Sequence, residues 1–439
     1  MEDTNLIYIL FILMLVITLI GIYIFNFDFL EPVNLFNIAM TTSMLFAVLN
    51  VDRWGLFIGS YTCILVLIGM VAFLSGDIFC SYKCFKDYDR VKTINKNILL
   101  QIHGFKFIIL NILTIIFLVF SFIEVYNLSL QVGNTEGIFG MIKAVRFPLE
   151  RGEINFSRWQ IYRNYFSESF VYISIYCLFS NILIKGKFEI KYIFPIIICL
   201  LFIVLSTARY NLLFLITYMV SLFSILFLKK NNYCQKCKFN ILFIGIVAAF
   251  LFLSLFLLLG SLTGKTISSE RTPFIILSHY LGLSIPALDK FLVNTVFLEN
   301  PYIGINTLPS IYGNLRTLGM ELPVIKLFAP FVEFNGINTN VYTALMRYYS
   351  DFGFVSGSIL LFLFGNMFSF IYNYIKYKTN NLLLIILYSS YVGYIVLSFH
   401  DENFLRWMLT TGTIYKIVLI YVIYKFIKLD SCKFTKSNS

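Results

Sequence analysis

Arginine is spread unevenly along this 439-residue chain, which holds 11 Arg against 23 Lys. Both residues supply positive charge. Only the planar guanidinium fork grips a phosphate or carboxylate through two parallel hydrogen bonds. Ten arginines fall in segments that the loop charges place on the outer side of a membrane: Arg53, Arg146, Arg151, Arg158, Arg163, Arg209, Arg271, Arg316, Arg347 and Arg406. Arg90 alone falls inside, together with 18 of the lysines. In a chain biased towards lysine, arginine is expected to persist where lysine fails. The outer face is therefore read as prepared for an anionic ligand, phosphate above all. The plainer alternative for any one arginine is a lipid headgroup or a loop carboxylate as its partner. Arg209 is the sharpest case, because it closes a tight Ser206-Thr207-Ala208-Arg209 hairpin with apolar sequence on both sides. It either snorkels to headgroups or points into a cavity at the outer leaflet, and the second is expected.

The elements that position these residues follow from composition. The chain is 59% apolar and 13% charged, with 48 Phe and 29 Tyr, whereas soluble proteins are about 45–50% apolar and about 25% charged. A water-soluble globule cannot hide so much apolar side chain, so a cytoplasmic enzyme, a disordered chain and a fibrous one are all excluded. Apolar segments recur at about 5–25, 34–50, 54–74, 107–124, 166–184, 190–207, 210–228, 239–260, 353–375, 381–400 and 408–428. The expectation is an all-α polytopic membrane protein of about eleven spans, forming one integral membrane domain over residues 1–439. The run from Leu6 to Phe25 is too long for a signal peptide's apolar core and has an acidic start, so it is read as a permanent span.

Orientation comes from the basic residues. Lys83 to Lys106, Lys185 to Lys191, Lys229 to Lys238, Lys376 with Lys378, and Lys425 to Lys436 all sit in odd-numbered loops or the tail. They are all cytoplasmic if the N-terminus is outside and the C-terminus inside. The net charge of +11 then comes from membrane-flanking lysines, and no nucleic acid partner is expected. The outer loops include about 125–165 and a large one at 261–352, which is rich in Tyr, Leu, Ile, Phe, Pro and Gly. Loops of that length are usually functional. Short amphipathic helices roofing a cavity between the spans are expected.

Within the large loop, Ser and Thr before Pro273 suit a helix start, and His279 follows Arg271 by eight residues. Near its end, Asn340, Thr343, Arg347 and Asp351 share a stripe if the segment is helical, beside Tyr342 and Tyr348. Amides, hydroxyls, guanidinium and aromatic rings are what a sugar site uses. The alternative is a polar cap with Arg347 and Asp351 merely paired. His400-Asp401-Glu402-Asn403, beside Arg406 and Trp407, is a second polar cluster, either lining an acceptor site or capping the interface.

These residues carry a family resemblance. Asn340-Val341-Tyr342-Thr343 followed by Tyr349-Ser350-Asp351-Phe352-Gly353 resembles oligosaccharide repeat-unit polymerases of the Wzy type, which build bacterial O-antigen and capsular polysaccharides. Asp28-Phe29-Leu30-Glu31-Pro32, Ser206-Thr207-Ala208-Arg209 and Tyr280 to Asp289 are also similar, in that order along the chain. The resemblance implies a metal-independent, cofactor-free glycosyltransferase of the outer leaflet of the bacterial plasma membrane. Its substrates would be undecaprenyl-pyrophosphate-linked oligosaccharides, with a flippase and a chain-length regulator as partners. Arg209, His279 and Arg347 would be catalytic, and Arg271, Arg316, Asn340, Tyr342, Asp351 and His400 would bind substrate. Arginines would stabilise the leaving pyrophosphate. His279, Asp289, His400, Asp401 or Glu402 would orient or deprotonate the acceptor hydroxyl. His103 lies on the inner side and is set aside.

Other classes compete. An O-antigen ligase would use the same donor with a different acceptor. A lipid-linked oligosaccharide flippase would transport rather than react, but repeated halves are absent from the sequence. A membrane O-acyltransferase would rest on His103 alone. Of eight cysteines, Cys63, Cys177 and Cys199 read as core. Cys80-x-x-x-Cys84 and Cys234-x-x-Cys237 have spacings that allow one four-cysteine zinc site if their loops meet, but reduced cytoplasmic thiols are the expectation.

Overall fold

A computed structural model of the chain describes residues 5–86, 91–93, 99–207, 210–262, 273–294, 302–323 and 329–428. In chain order the helices are α1 (Asn5–Ile24), α2 (Pro32–Val48), α3 (Val51–Trp54), α4 (Ser60–Phe85), α5 (Gly104–Gln131) and α6 (Gly137–Arg151). Then come α7 (Arg158–Ser180), α8 (Ile193–Leu205), α9 (Tyr210–Lys230), α10 (Gln235–Leu262), α11 (Pro273–Gly282) and α12 (Ser284–Asn294). The last are α13 (Pro309–Thr317), α14 (Ala344–Asn373), α15 (Leu382–Val396) and α16 (Thr411–Lys428). One antiparallel hairpin, β1 (Val332–Phe334) with β2 (Ile337–Thr339), turns through Asn335 and Gly336. Both turn residues have positive φ, 42° and 78°, which Asn and Gly tolerate best.

Among the described residues seven helices are long and apolar enough to cross a membrane, and eight if the bent α11–α12 pair counts as one span. The chain is therefore an all-α, multi-pass membrane protein. The expected segments at 34–50 and 190–207 fall on two shorter apolar helices, Pro32–Val48 and Ile190–Leu205. Those at 239–260 and 408–428 fall on α10 and α16. Local chemistry sets the helix ends. Ser157 accepts the Gln160 N–H at the start of α7, and Pro32 opens α2 where no amide hydrogen is needed. The Lys106 ammonium donates to the Phe426 carbonyl at 2.6 Å, and Lys229 donates to the carbonyls of Ile375 and Thr379. Buried lysines thus satisfy carbonyls in the last turns of neighbouring helices.

The closest helix pair is α4 with α14. A Cβ on Gly76 would stand 2.0 Å from the Phe362 carbonyl oxygen, and one on Gly365 would stand 2.2 Å from that of Phe73. Two glycines facing opposite backbones let the helices touch, as small residues do between membrane helices. Gly353, at φ 71° and ψ −179°, breaks α14 near the expected outer end of its span.

Several expectations are corrected here. Asn340 precedes α14, whose N-cap is Thr343, so Asn340, Thr343, Arg347 and Asp351 form no common helical stripe. Cys234 and Cys237 are not free thiols but a disulfide, because their spacing at the start of α10 brings the Cα atoms to 5.3 Å. Cys80 and Cys84 remain free, so the four cysteines do not make one site. Among the described residues no group of three or more His, Cys, Asp or Glu side chains is arranged to hold a metal ion.

Candidate functional site

A cavity of about 620 Å³ opens among α7, α8, α9, α15 and α16, at the ends where α8 meets α9 and α15 leads to α16. Its size is that of a small-ligand site. Its walls carry five tyrosines: Tyr165, Tyr172, Tyr210, Tyr391 and Tyr394. Phe214 meets Tyr210 and Tyr394 edge-on, with ring centroids 4.9 Å away in each case. Tyr165 reaches its place because residue 412 is glycine: a Cβ there would lie 2.1 Å from the Tyr165 hydroxyl. Ser310 of α13 also lines the cavity, which brings the 261–352 segment to its mouth.

Inside this aromatic wall sits one ion pair. Lys416 Nζ lies 2.5 Å from Glu168 Oε2, with the side chains 27% and 17% exposed, and stands 5.2 Å from the centre of the Tyr165 ring. Ionisable residues at membrane depth are costly and usually face a cavity that uses them. Charged donors and acceptors set among aromatic rings suit a hydroxyl-rich ligand with apolar ring faces.

Of the segment from His400 to Trp407, Trp407 lines the cavity, and Tyr210, another lining residue, links the rest of the segment to it. The Tyr210 hydroxyl donates to Asn403 Oδ1 at 2.9 Å, and its ring packs 5.4 Å from His400. Asp401 binds two guanidinium groups. Arg347 Nε donates to Oδ1 at 2.8 Å and Arg406 Nη1 donates to Oδ2 at 2.9 Å. Both arginine side chains are 7% exposed. Glu402 accepts from the Tyr348 hydroxyl at 2.5 Å and from the N–H groups of Leu405 and Arg406 at 2.8 and 2.7 Å. Burial nevertheless pushes its pKa up to about 7, against the pull of those hydrogen bonds. Two guanidiniums thus share the Asp401 side chain, one on each oxygen.

His400 is half-buried, with Nδ1 sealed from solvent and lacking a hydrogen-bond partner. Burial lowers its pKa despite the opposing effect of Asp401. It is thus a neutral imidazole at neutral pH, with a ring nitrogen that can take a proton.

The residues expected from sequence divide sharply. Arg347 and His400 come together around Asp401. His279 does not join them: it lies on α11, which packs on α2, and its Nε2 meets the Asn338 carbonyl oxygen at 3.2 Å. Asp351 accepts from the backbone N–H groups of Asn306 and Thr307, the Asn306 amide and the Thr307 hydroxyl, tying the 302–308 segment to α14. It is neither Arg347's partner nor a cavity residue. The Tyr342 hydroxyl donates to the Pro330 carbonyl at 2.8 Å, so this buried ring braces the hairpin. Asn340 is half-buried before α14, and Arg316 is exposed on α13. Asp289 caps the start of α4, accepting from Gly59 N–H and the Thr62 hydroxyl at 2.8 and 2.5 Å. Arg209 and Arg271 lie outside the described residues.

Sequence reasoning missed Glu168 and Lys416, although both stand inside apolar runs, which is the signal that marks them. Comparison with protein-family models, with curated proteins and with solved structures finds no match to this chain.

Proposed function

We propose that this chain is a membrane glycosyltransferase, a repeat-unit polymerase that joins undecaprenyl-pyrophosphate-linked oligosaccharides at the outer leaflet of the bacterial plasma membrane. It spans the bilayer eleven times, N-terminus outside and C-terminus inside, so that the cavity opens outward. The tyrosine-lined cavity with Glu168 and Lys416 within, joined through Tyr210 and Trp407 to the cluster that holds Arg347 and Arg406, is the observation that carries this reading. Sugar rings stack on the phenol faces, and the charged pair binds hydroxyls. An acceptor hydroxyl oxygen attacks the anomeric carbon of the donor. The bond from that carbon to the pyrophosphate oxygen breaks, and the lipid pyrophosphate departs with the electron pair. The acceptor proton passes to the His400 imidazole. Arg347 and Arg406 stabilise the charge that grows on the leaving group.

A deletion strain tests the reading. Loss of the polymerase leaves single repeat units made and exported but not lengthened. Arrest of export, or normal polymer left untransferred to its acceptor, overturns it in favour of a flippase or a ligase respectively.

A further inference from the structure

At the helix ends opposite the cavity, four ionisable side chains are sealed together. Asp28 in the α1–α2 turn, Glu31 at the N-cap of α2 and Asp77 on α4 are 0%, 1% and 0% exposed, and Lys376, in the π turn that follows α14, is 8% exposed. One ammonium thus faces three carboxyl groups. Lys376 is committed to Asp28, with Nζ 2.7 Å from Oδ2, while the Tyr372 hydroxyl lies 2.9 and 3.0 Å from the two oxygens of the same carboxylate. Glu31 stands farther from the ammonium, at 3.9 Å, and accepts from the Asn373 amide at 3.0 Å. Asp77 accepts the Val33 N–H at 3.0 Å. The Glu31 and Asp77 carboxyl groups share one polar network: the Asn373 amide that meets Glu31 also donates to Ser81 Oγ at 3.2 Å, and Ser81 Oγ donates to Asp77 Oδ1 at 3.5 Å. Two carboxylates only accept hydrogen bonds, so their proximity is favourable only when one carries a proton.

Two further lysines stand near the cluster among the described residues: Lys92, whose backbone N–H donates to the Lys376 carbonyl, and Lys238. Lys238 of α10 donates to the Asn26 carbonyl at 2.6 Å, and its nearer acidic neighbour is Asp28. Tyr233, from the α9–α10 turn, lies beneath Lys376. Cys80 is the thiol on α4 next to Asp77. Tyr388 of α15 is 2% exposed, its hydroxyl has no hydrogen-bond partner, and its strongest charge interactions are with Glu31 and Asp77. The Tyr388 hydroxyl therefore lies near two carboxyl groups that share one ammonium with Asp28.

We infer that Glu31 and Asp77 form a proton-binding site, one proton for the two carboxyl groups where the start of α2 meets α4. Burial, and then the neighbouring Asp77, push the Glu31 pKa well above the ordinary carboxyl value. Losing the proton leaves two neighbouring anions between these helices, with Lys376 already spent on Asp28, and the start of α2 loosens from α4. Proton binding and the packing of α2 are thereby linked.

The test uses the full chain in lipid nanodiscs and infrared spectroscopy. Glu402→Gln serves as the background, because it removes the other buried carboxyl that titrates near neutrality. At about pH 7 the background chain should show a D₂O-sensitive protonated-carboxyl carbonyl band that Glu31→Gln and Asp77→Asn each abolish. Glu31→Gln should also keep its thermal midpoint in alkaline buffer, where the background chain loses stability. A background chain without the band at neutral pH overturns the site, as does a band that survives in both variants. If neither variant folds, the background chain decides alone: the band must vanish reversibly as the pH rises, and its absence throughout refutes the site. No polymer synthesis is read, so the outcome is independent of the proposed activity.

Discussion

Replacing Lys416 with Met tests the cavity most directly. Its ammonium lies 2.5 Å from Glu168, and the two side chains are 27% and 17% exposed. At that distance the Coulomb attraction is about 7 kcal/mol at an effective dielectric of about 20 and about 2 kcal/mol in bulk water. Partial exposure discounts the larger figure, and both ions lost hydration on entering the cavity. A double-mutant cycle should therefore return a coupling of about 1–3 kcal/mol. Lys416→Met strands the Glu168 charge and lowers the thermal midpoint in detergent, and adding Glu168→Gln recovers most of that loss. Activity should not recover. A charge-assisted hydrogen bond to the ligand is worth about 1.5–3 kcal/mol, so the folded double variant should lengthen chains roughly ten- to a hundredfold more slowly. The assay is the ladder of polysaccharide lengths in a deletion strain complemented with each variant, read beside the midpoint of the purified protein. Wild-type ladders from a well-folded double variant would refute the reasoning and leave the cavity a packing void.

Three further outcomes follow from the same geometry. Asp401→Asn keeps hydrogen-bonding capacity but removes the carboxylate charge that two guanidiniums, each 7% exposed, share; thermal unfolding should register a loss of about 3–5 kcal/mol, and a change within error would show that solvent screens the cluster. Burial pushes the Glu402 pKa up from the ordinary carboxyl value to about 7, so its contribution is complete below the ordinary value and is lost as pH rises through about 7. Glu402→Gln should flatten the stability–pH curve over that interval by up to about 3 kcal/mol, and an unchanged slope would mean that the carboxylate stays charged. A cysteine placed at Leu318, which is 80% exposed on the segment after α13, should react with an impermeant maleimide in intact cells, whereas one at Asn232 should not; the reverse pattern inverts the proposed topology.

The apolar helices were legible because bilayer thickness dictates them: about 20 apolar residues in sequence have one stable arrangement in lipid. The break near residue 353 was not: the sequence only starts an apolar segment there, and the structure is what shows Gly353 at a φ of 71° that other residues resist. The partners of polar residues were not legible. Arg347 and Asp351 stand four apart and invite pairing, yet Arg347 turns to Asp401, 54 residues on, while Asp351 turns back to Asn306 and Thr307. Gly353 explains part of this, because it ends the regular turn just beyond Asp351 and frees the aspartate to meet the incoming loop. The partner of Tyr342 was equally hidden: its hydroxyl finds the Pro330 carbonyl, 12 residues back, on the other side of the hairpin.

The pairing at Asp401 decides how the arginine asymmetry is to be read. Exterior arginines that merely met loop carboxylates would pair one to one, as Arg163 does with Glu124. At Asp401 two guanidiniums meet one side chain, beside Tyr210 and Trp407, both of which line the cavity. That arrangement departs from one-to-one pairing and adjoins the cavity, whereas the Arg163 pair does neither. On the proposed function the pyrophosphate therefore falls to Arg347 and Arg406, and Arg163 belongs with the arginines that hold loops in place.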